Sequence, residues 1–196
     1  MSHQIERLSH KNLSAIVEIQ REALSDGVIS QLPYRTRLRY LTWLTCHPKV
    51  TTWVAIDDNK NIRGLLVVSP TDLSRPVCLN LELACTATAV ALRNPRFWPV
   101  LWHELRQGET KDMCCQRSIS LFAVMHTARS NGLGSRLLDT AIRNEIASGT
   151  TTLCTSTHNL RLVEHYRRRY SAEIVEVNRL KAYDLYNLAI RLPQQS

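Results

Sequence analysis

The clearest structural pattern in the sequence lies in residues 117–146, RSISLFAVMHTARSNGLGSRLLDTAIRNEI. It opens with a short apolar run, residues 119–125, which has the length and composition of a buried strand. A turn with two glycines follows, and leucine, isoleucine and alanine then recur every three or four positions. This spacing predicts a helix with one face packed on a sheet, and Ser148-Gly149 marks its end.

The turn Arg129-Ser130-Asn131-Gly132-Leu133-Gly134 has the composition of an anion-binding loop. Glycine has no Cβ, so the backbone of such a turn can approach a ligand closely. The first N–H groups of a helix lack partners within the helix and carry partial positive charge. A Gly-x-Gly pair is weak evidence alone, but this one follows a strand and opens a helix. We therefore predict a phosphate cradle with the charge of Arg129 at its rim.

The pattern Arg129-x-x-Gly132-x-Gly134 resembles the Arg/Gln-x-x-Gly-x-Gly/Ala acetyl-CoA signature of the GNAT N-acetyltransferases. A later segment, LCTSTHN at residues 153–159 followed by Tyr166 and Tyr170, is similar to a strand and helix of that superfamily. There a tyrosine stands seven residues after an asparagine. The resemblance covers about residues 118–175, and the layout is similar to the puromycin-acetyltransferase-like branch, whose members mostly acetylate small amines. Arg169-Tyr170 departs from the usual Gly-Phe at the end of that helix.

The resemblance implies an α/β layered fold in a single domain over residues 1–196. Its sheet would be mixed and strongly twisted, with about six or seven strands and helices on both faces. The parallel strands 119–125 and 151–155 would splay apart to admit the pantetheine arm of acetyl-CoA, which would bind as an added strand does. A helical insertion at about residues 71–116, between the third and fourth strands, would make the chain longer than the smallest GNAT proteins.

By the same resemblance, acetyl-CoA is the expected co-substrate and an acetyl group passes directly to a primary amine. Tyr166 is the candidate catalytic acid, because a phenol with a pKa of about 10 stays protonated at neutral pH and can protonate the leaving thiolate. The main-chain N–H near Val124 is the candidate polariser of the thioester carbonyl. The expected cofactor-binding residues are Phe122, Ala123, Val124, Arg129, Ser130, Asn131, Gly132, Leu133, Gly134, Ser135, Asn159 and Tyr166.

Two roles are open for Asn159, which can contact pantetheine, cap its helix, or do both. The general base is also open. His126 stands where a proline often follows the strand, and its side chain titrates near neutrality. Glu82, His103 and Glu104 lie in the insertion. Each of these is more readily explained as an ordinary polar residue, and a chain of waters could serve as base instead.

The acceptor is the least determined part of the prediction. A small-molecule amine is favoured, with a protein amine or an aminoacyl-tRNA as the alternative. A non-catalytic acyl-CoA-binding module is the third reading, because no base is identified. The net charge of +8 suits coenzyme A, a nucleic acid or simple solubility, and nucleic acid is compatible but not favoured. Arg35, Arg37 and Arg39 are expected on a solvated helix face, whereas Arg167-Arg168-Arg169 could be solvated or contact phosphate.

The six cysteines are scattered and include no Cys-x-x-Cys, so we expect reduced thiols, a cytoplasmic protein and no metal site. The N-terminus lacks the apolar core of a signal peptide, and no apolar run has membrane-spanning length. Membrane association is therefore not expected. An aromatic stripe over residues 97–105 suits core, a subunit contact or a wall of the acceptor pocket. A homodimer is compatible with that stripe.

The remaining elements follow from hydrophobic period and from Gly, Pro and Asn breakers. The sequence predicts strands at 5–8, 52–56, 62–68, 173–180 and 183–191, and helices at about 9–24, 31–46, 77–92 (buried) and 159–169.

Overall fold

A computed structural model describes residues 3–8, 13–24, 29–71, 85, 88–90, 92, 115–179 and 183–193, without the side chains of Gln31, Ser130 and Asn131. The strands in these ranges form one seven-stranded sheet: β1 (His3–Arg7), β2 (Thr51–Asp57), β3 (Ile62–Pro70), β4 (Arg117–Val124), β5 (Thr152–Thr157), β6 (Glu173–Arg179) and β7 (Asp184–Arg191). The longer helices described are α1 (Leu13–Ala23), α2 (Tyr34–Cys46), α3 (Leu133–Ala147) and α4 (Leu160–Tyr170). No helix in these ranges combines the length and apolar content of a transmembrane segment.

The sheet order is β1-β2-β3-β4-β5-β7-β6. All neighbouring strands pair antiparallel except β4 and β5, which are parallel. A parallel pair needs a crossover connection, and α3 supplies it between β4 and β5. The predicted mixed sheet and the predicted parallel pair are confirmed.

Helices cover both faces of the sheet, as predicted. On one face, α1 and α2 pack their apolar residues over β2, β3 and β4. On the other face, α3 and α4 pack over β3, β4, β5 and β7. The two buried clusters are separated by the sheet because side chains alternate along each strand. Members of the first include Ile16, Val17, Leu41, Leu44, Leu65, Val67 and Leu121, and members of the second include Leu66, Val68, Leu137, Leu138, Val163 and Leu188.

The helix predicted after the glycine turn is present with its expected stripe. Leu133, Leu137, Leu138 and Ala141 on α3 are each at most 1% exposed, so the repeat that suggested the helix is the face that the sheet buries. The backbone leaves the helix at Ser148, and Gly149 follows with φ of 78°. This left-handed conformation is a usual way to end a helix and favours glycine.

An ion pair joins the start of β4 to the end of α3. Arg117 Nε donates to Glu145 Oε2 at 3.1 Å, and Arg117 Nη2 donates to Oε1 at 3.3 Å. Thr150 Oγ1 donates to the same carboxylate at 2.8 Å. The Glu145 side chain is 2% exposed and that of Arg117 is 18% exposed. Each charge therefore depends on the other, because neither is well solvated.

Two sequence expectations are corrected here. Cys115 and Cys154 are not reduced thiols but are joined by a disulfide, with Cα atoms 6.0 Å apart. The reason is the parallel register, which sets Cys154 beside Ser118 and so brings Cys115, two residues before β4, close to β5. Cys46 and Cys85 lie outside this disulfide and are exposed.

The second correction concerns the solvated arginine face expected on α2. Arg35 is exposed, but Arg37 is only 6% exposed. Position 37 lies one helical turn before Tyr40 and Leu41, which are buried, so it falls on the packed side of the helix.

Little of the predicted insertion falls within the described residues. Residues 85, 88–90 and 92 are helical, in agreement with the helix predicted over 77–92. Its predicted burial does not hold at Leu92, which is 69% exposed. The aromatic stripe of residues 97–105 and the candidate bases Glu82, His103 and Glu104 lie outside the described residues.

The Arg117–Glu145 pair yields a stability prediction. The isosteric change Glu145→Gln should lower the free energy of unfolding by about 3 kcal/mol, because it leaves a poorly solvated guanidinium without its counter-charge. Glu164→Gln is the matched control, since Glu164 pairs with Arg168 on the surface, and it should cost less than about 1 kcal/mol. Urea unfolding measures both, and equal effects would contradict the assignment.

Candidate acetyl-CoA site

The parallel strands β4 and β5 separate after three paired positions. The register pairs Arg117 with Leu153, Ser118 with Cys154 and Ile119 with Thr155, and it ends there. Both strands continue, β4 to Val124 and β5 to Thr157. β4 thus has one edge paired with β3 and the other edge open over its last residues. This is the wedge that the resemblance to GNAT enzymes predicts.

A β-bulge lies at the point where the wedge opens. The β3–β4 register shifts between Val67 and Val68, which pair with Leu121 and Ile119, so Ser120 is the extra residue. Its hydroxyl shares a hydrogen bond with that of Ser69. Bulges are common beside functional sites because they redirect the backbone. This feature was not predicted from the sequence, where the available signal is a serine inside an otherwise apolar strand.

Backbone alternation shows which groups of β4 face the wedge. Met125 N–H donates to the Arg63 carbonyl on the β3 side. Along an antiparallel strand every second residue bonds the same neighbour. The main-chain groups of Ala123 therefore face Leu65 on β3, whereas those of Phe122 and Val124 face the open edge. Of the three residues expected to hold pantetheine through their main chains, two are directed to the wedge.

The start of α3 lies beside this edge. A short 3-10 helix, His126–Asn131, follows β4, and Gly132 then adopts φ of 64° as the N-cap. The first N–H to bond back to the cap is that of Arg136, which donates to the Gly132 carbonyl at 3.1 Å. The N–H groups of Leu133, Gly134 and Ser135 precede it and have no acceptor within α3. The Leu133 side chain is fully buried, so only its main chain can serve a ligand.

Glycine is needed at the two positions of the motif for different structural reasons. Gly132 supplies the left-handed cap, where an added Cβ would meet nothing within 4 Å. At Gly134 a Cβ would lie 3.2 Å from Phe122 Cζ and 3.6 Å from Val124 Cγ2. Gly134 therefore allows α3 to begin in close contact with the side chains of β4. The result is that helix N–H groups and the open strand edge lie next to each other.

Arg129 supports the end of β4. Its Nε donates to the Val124 carbonyl at 3.0 Å, and its side chain is otherwise exposed. That bond occupies the carbonyl of Val124 on the open side and leaves its N–H for a ligand. The side chains of Ser130 and Asn131 lie outside the described part of the chain.

Tyr166 on α4 reaches the point where the strands separate. It is 1% exposed, and its hydroxyl makes no hydrogen bond of good geometry with the described residues. Burial raises the pKa of this phenol, and the side chain of Thr155, in the last paired position, offsets part of the effect. The phenol stays protonated at neutral pH. An unsatisfied buried hydroxyl is costly and calls for a partner.

A polar network fixes α4 against α3. Arg169 Nη2 and Tyr170 Oη each lie 2.8 Å from the Asp139 carboxylate. Partial burial raises the pKa of Asp139, but the hydrogen bonds from Arg169 and Tyr170 outweigh this and hold it below its usual value. Burial and the bond to Asp139 raise the pKa of Tyr170. Arg168 pairs with Glu164 and Arg169 with Asp139, and both arginine side chains stay largely exposed, which agrees with the solvated reading for these two residues.

Three further predicted residues are placed by the structure. Asn159 is the N-cap of α4, and its Oδ1 accepts from Arg161 N–H at 3.0 Å. Ser135 Oγ lies 3.3 Å from His165 Nε2, a neighbour that was not predicted. His126 is exposed in the first turn of the 3-10 helix. The cap role of Asn159 is confirmed, and its contact with pantetheine stays a prediction.

No protein-family model matches the chain, and no curated protein sequence matches it. Its fold does match solved structures of GNAT acetyltransferases. The ribosomal-protein-S18-alanine N-acetyltransferase from Escherichia coli superposes with a TM-score of 0.64 at 12% identity, over 100% of this chain and 97% of that chain. A histone acetyltransferase HPA2-related protein from Corynebacterium glutamicum gives 0.65 at 14% identity, over 100% and 99%.

A third match is a GNAT-superfamily phosphinothricin acetyltransferase from Sinorhizobium meliloti, solved in complex with acetyl-CoA. It gives a TM-score of 0.63 at 14% identity, over 98% of this chain and 89% of that chain. At these identities the likeness establishes the fold. The chain has the GNAT acetyltransferase fold, and the fold that the sequence resemblance implied is confirmed.

The contact at Gly134 predicts how the cradle can be blocked. Gly134→Glu should weaken acetyl-CoA binding at least about 100-fold, because it displaces Phe122 and places a negative charge at the helix N-terminus. Gly134→Ala displaces Phe122 without adding charge and should cost less than about tenfold. Isothermal titration calorimetry measures both. Ala147→Glu, exposed at the far end of α3, is the control, and unchanged affinity in Gly134→Glu would show that the cradle does not hold the cofactor.

Proposed function

We propose that this protein is an acetyl-CoA-dependent N-acetyltransferase that acts on a primary amine of a small molecule. The observation that carries the proposal is the juxtaposition of the open edge of β4 with the first N–H groups of α3. An extended ligand with amide groups can pair with the strand edge, and its phosphates can meet the helix N-terminus. Acetyl-CoA has both parts. The matched phosphinothricin acetyltransferase was solved in complex with acetyl-CoA, which agrees with this choice.

The residues present fit that co-substrate on three counts. Gly134 keeps the strand edge and helix start in contact, where a Cβ would crowd Phe122. Phe122 and Val124 direct main-chain groups to the open edge. The hydroxyl of Tyr166, which makes no hydrogen bond of good geometry with the described residues, lies beside Thr155, where the strands separate. When bound, acetyl-CoA would supply an acetyl group activated as a thioester.

The chain's own groups divide the work of the transfer. The reaction forms a carbon–nitrogen bond, breaks the carbon–sulfur bond, removes a proton from the amine and returns one to the thiolate. Val124 N–H would polarise the acetyl carbonyl as a fixed donor. Tyr166 would protonate the leaving thiolate, whose conjugate acid is a thiol with a pKa of about 8.5. The amine would lose its proton to water or to a base that the described residues do not identify.

Two alternatives concern the acceptor and the activity. A protein amine is the second candidate acceptor, because one matched structure is named as an N-acetyltransferase of a ribosomal protein alanine and this chain has a net charge of +8. A non-catalytic acyl-CoA-binding module is the third candidate. Measurement of the free thiol released with each class of acceptor separates the three candidates. Release with small amines supports the first, release with peptide or RNA acceptors supports the second, and the absence of release with any acceptor supports the third.

Tyr166 gives the direct test of the mechanism. Tyr166→Phe should lower kcat by about 10²-fold or more and leave the affinity for acetyl-CoA within a factor of about three. It should change the thermal stability little, because the hydroxyl that it removes makes no hydrogen bond of good geometry with the described residues. Steady-state kinetics, calorimetry and thermal unfolding measure the three quantities.

The control is Tyr186→Phe, which removes a hydroxyl from a partly buried tyrosine on β7. It should leave kcat within a factor of about two. Unchanged turnover in Tyr166→Phe would remove Tyr166 from the mechanism. A loss of both turnover and thermal stability would assign the hydroxyl a structural role.

A further inference from the structure

Arg37 on α2 is a buried cation for which the described residues supply no counter-charge. It is 6% exposed, and its Nε and Nη1 atoms are buried and make no hydrogen bond with those residues. The ion pair between β4 and α3 shows what a poorly solvated arginine normally requires. Arg117 meets the Glu145 carboxylate with two of its nitrogens and the Lys49 carbonyl with the third. Within the described part of the chain, Arg37 has no comparable set of hydrogen-bond acceptors.

Such an arrangement is unfavourable in the protein alone. A guanidinium keeps its charge at every accessible pH, so it cannot escape burial by losing a proton. Leaving a buried charge uncompensated is among the most destabilising features of a fold. Groups of this kind persist where they serve binding, since the missing partner is then part of the ligand.

A second unpaired group lies on the neighbouring helix. Gln20 on α1 is 1% exposed, and its Oε1 has no hydrogen-bond partner among the described residues. Its orientation follows from Ser30, whose hydroxyl donates to the Leu24 carbonyl. Ser30 can then only accept from Gln20 Nε2, at 2.6 Å, so the amide oxygen of Gln20 is the free end.

The two helices that carry these groups cover one face of the sheet, the face on which Leu121 and Ala123 of β4 are buried. α1 and α2 pack against each other, and Ser30, which precedes α2, is hydrogen-bonded to Gln20 on α1. α1 packs on β3 and β4. The buried face of α2 belongs to the cluster that includes Ala123 and contacts Met125. This face lies opposite α3, so an acceptor here would approach β4 from the side away from the diphosphate cradle.

We propose that Arg37 and Gln20 form the acceptor subsite and that the acceptor is an amine that also carries a carboxylate, as an amino acid does. This inference rests on the proposed N-acetyltransferase function. The carboxylate would accept charge-assisted hydrogen bonds from the guanidinium. The amide oxygen of Gln20 would accept from the acceptor's N–H. A polyamine or other multiply cationic acceptor is excluded by repulsion from Arg37.

The kinetic test compares amino acids with the matching amino acid amides, which differ only in the carboxylate. Across a panel of α-, β- and γ-amino acids, kcat/KM for the best acid should exceed that for its amide by about 10²-fold or more. Arg37→Gln should reduce this ratio to near one. Arg35→Gln, exposed on the same helix, should leave the ratio unchanged.

Thermal unfolding supplies a readout that does not need activity. Arg37→Met should raise Tm by about 2–8 °C, because it removes an uncompensated buried charge. A lower Tm would show that Arg37 has a structural partner and would overturn the inference. The inference is also overturned if amides or polyamines react as well as acids. The proposed function fails separately, if the wild-type protein does not bind acetyl-CoA or releases no thiol with any acceptor.

Discussion

The rest of the site depends on the early end of the parallel pairing between β4 and β5. A strand inside a sheet has both edges occupied and has no main-chain group to offer a ligand. Here the pairing stops at Ile119 and Thr155, so the last residues of β4 keep one edge free in the middle of the sheet. The bulge at Ser120 lies at the same point and redirects the strand. The β3 side remains paired up to the end of β4, so the free edge is held rigidly in place.

Everything else in the site follows the position of that edge. Gly134 lets α3 begin against Phe122, which sets helix N–H groups next to strand N–H groups. Arg129 binds the carbonyl of Val124 and so fixes the end of the strand. The α3–α4 network through Asp139 holds the helix that carries Tyr166. These are separate interactions with one common effect, because each fixes a group around the opening between β4 and β5.

Local sequence patterns were sufficient to predict most of the fold. The strand, glycine turn and helix of residues 117–146 produce their signal within a few residues, and the structure places β4 and α3 where that signal does. Capping by Asn159 is equally local. The disulfide between Cys115 and Cys154 was not predictable in this way, because it depends on a strand register that brings distant residues together.

The site was less predictable than the fold for the same reason. The pairing of β4 with β3 decides which main-chain groups of β4 face the wedge. Because these groups alternate along the strand, those of Ala123 face β3 instead. Arg37 lies between two exposed arginines, so charge composition suggested a solvated face. Its burial follows from which side of α2 packs on the sheet. A helical wheel places position 37 on the same face as Tyr40, Leu41 and Leu44 and so predicts its burial. The pattern of charges alone does not.

The central claim is that acetyl-CoA joins the free edge of β4 and the start of α3. Amide hydrogen exchange followed by NMR, with and without saturating acetyl-CoA, tests it residue by residue. We expect slower exchange at the amides of Val124, Gly134 and Ser135, with β1 and β2 unchanged. Protection confined to other parts of the sheet, or none on addition of the ligand, would contradict the claim.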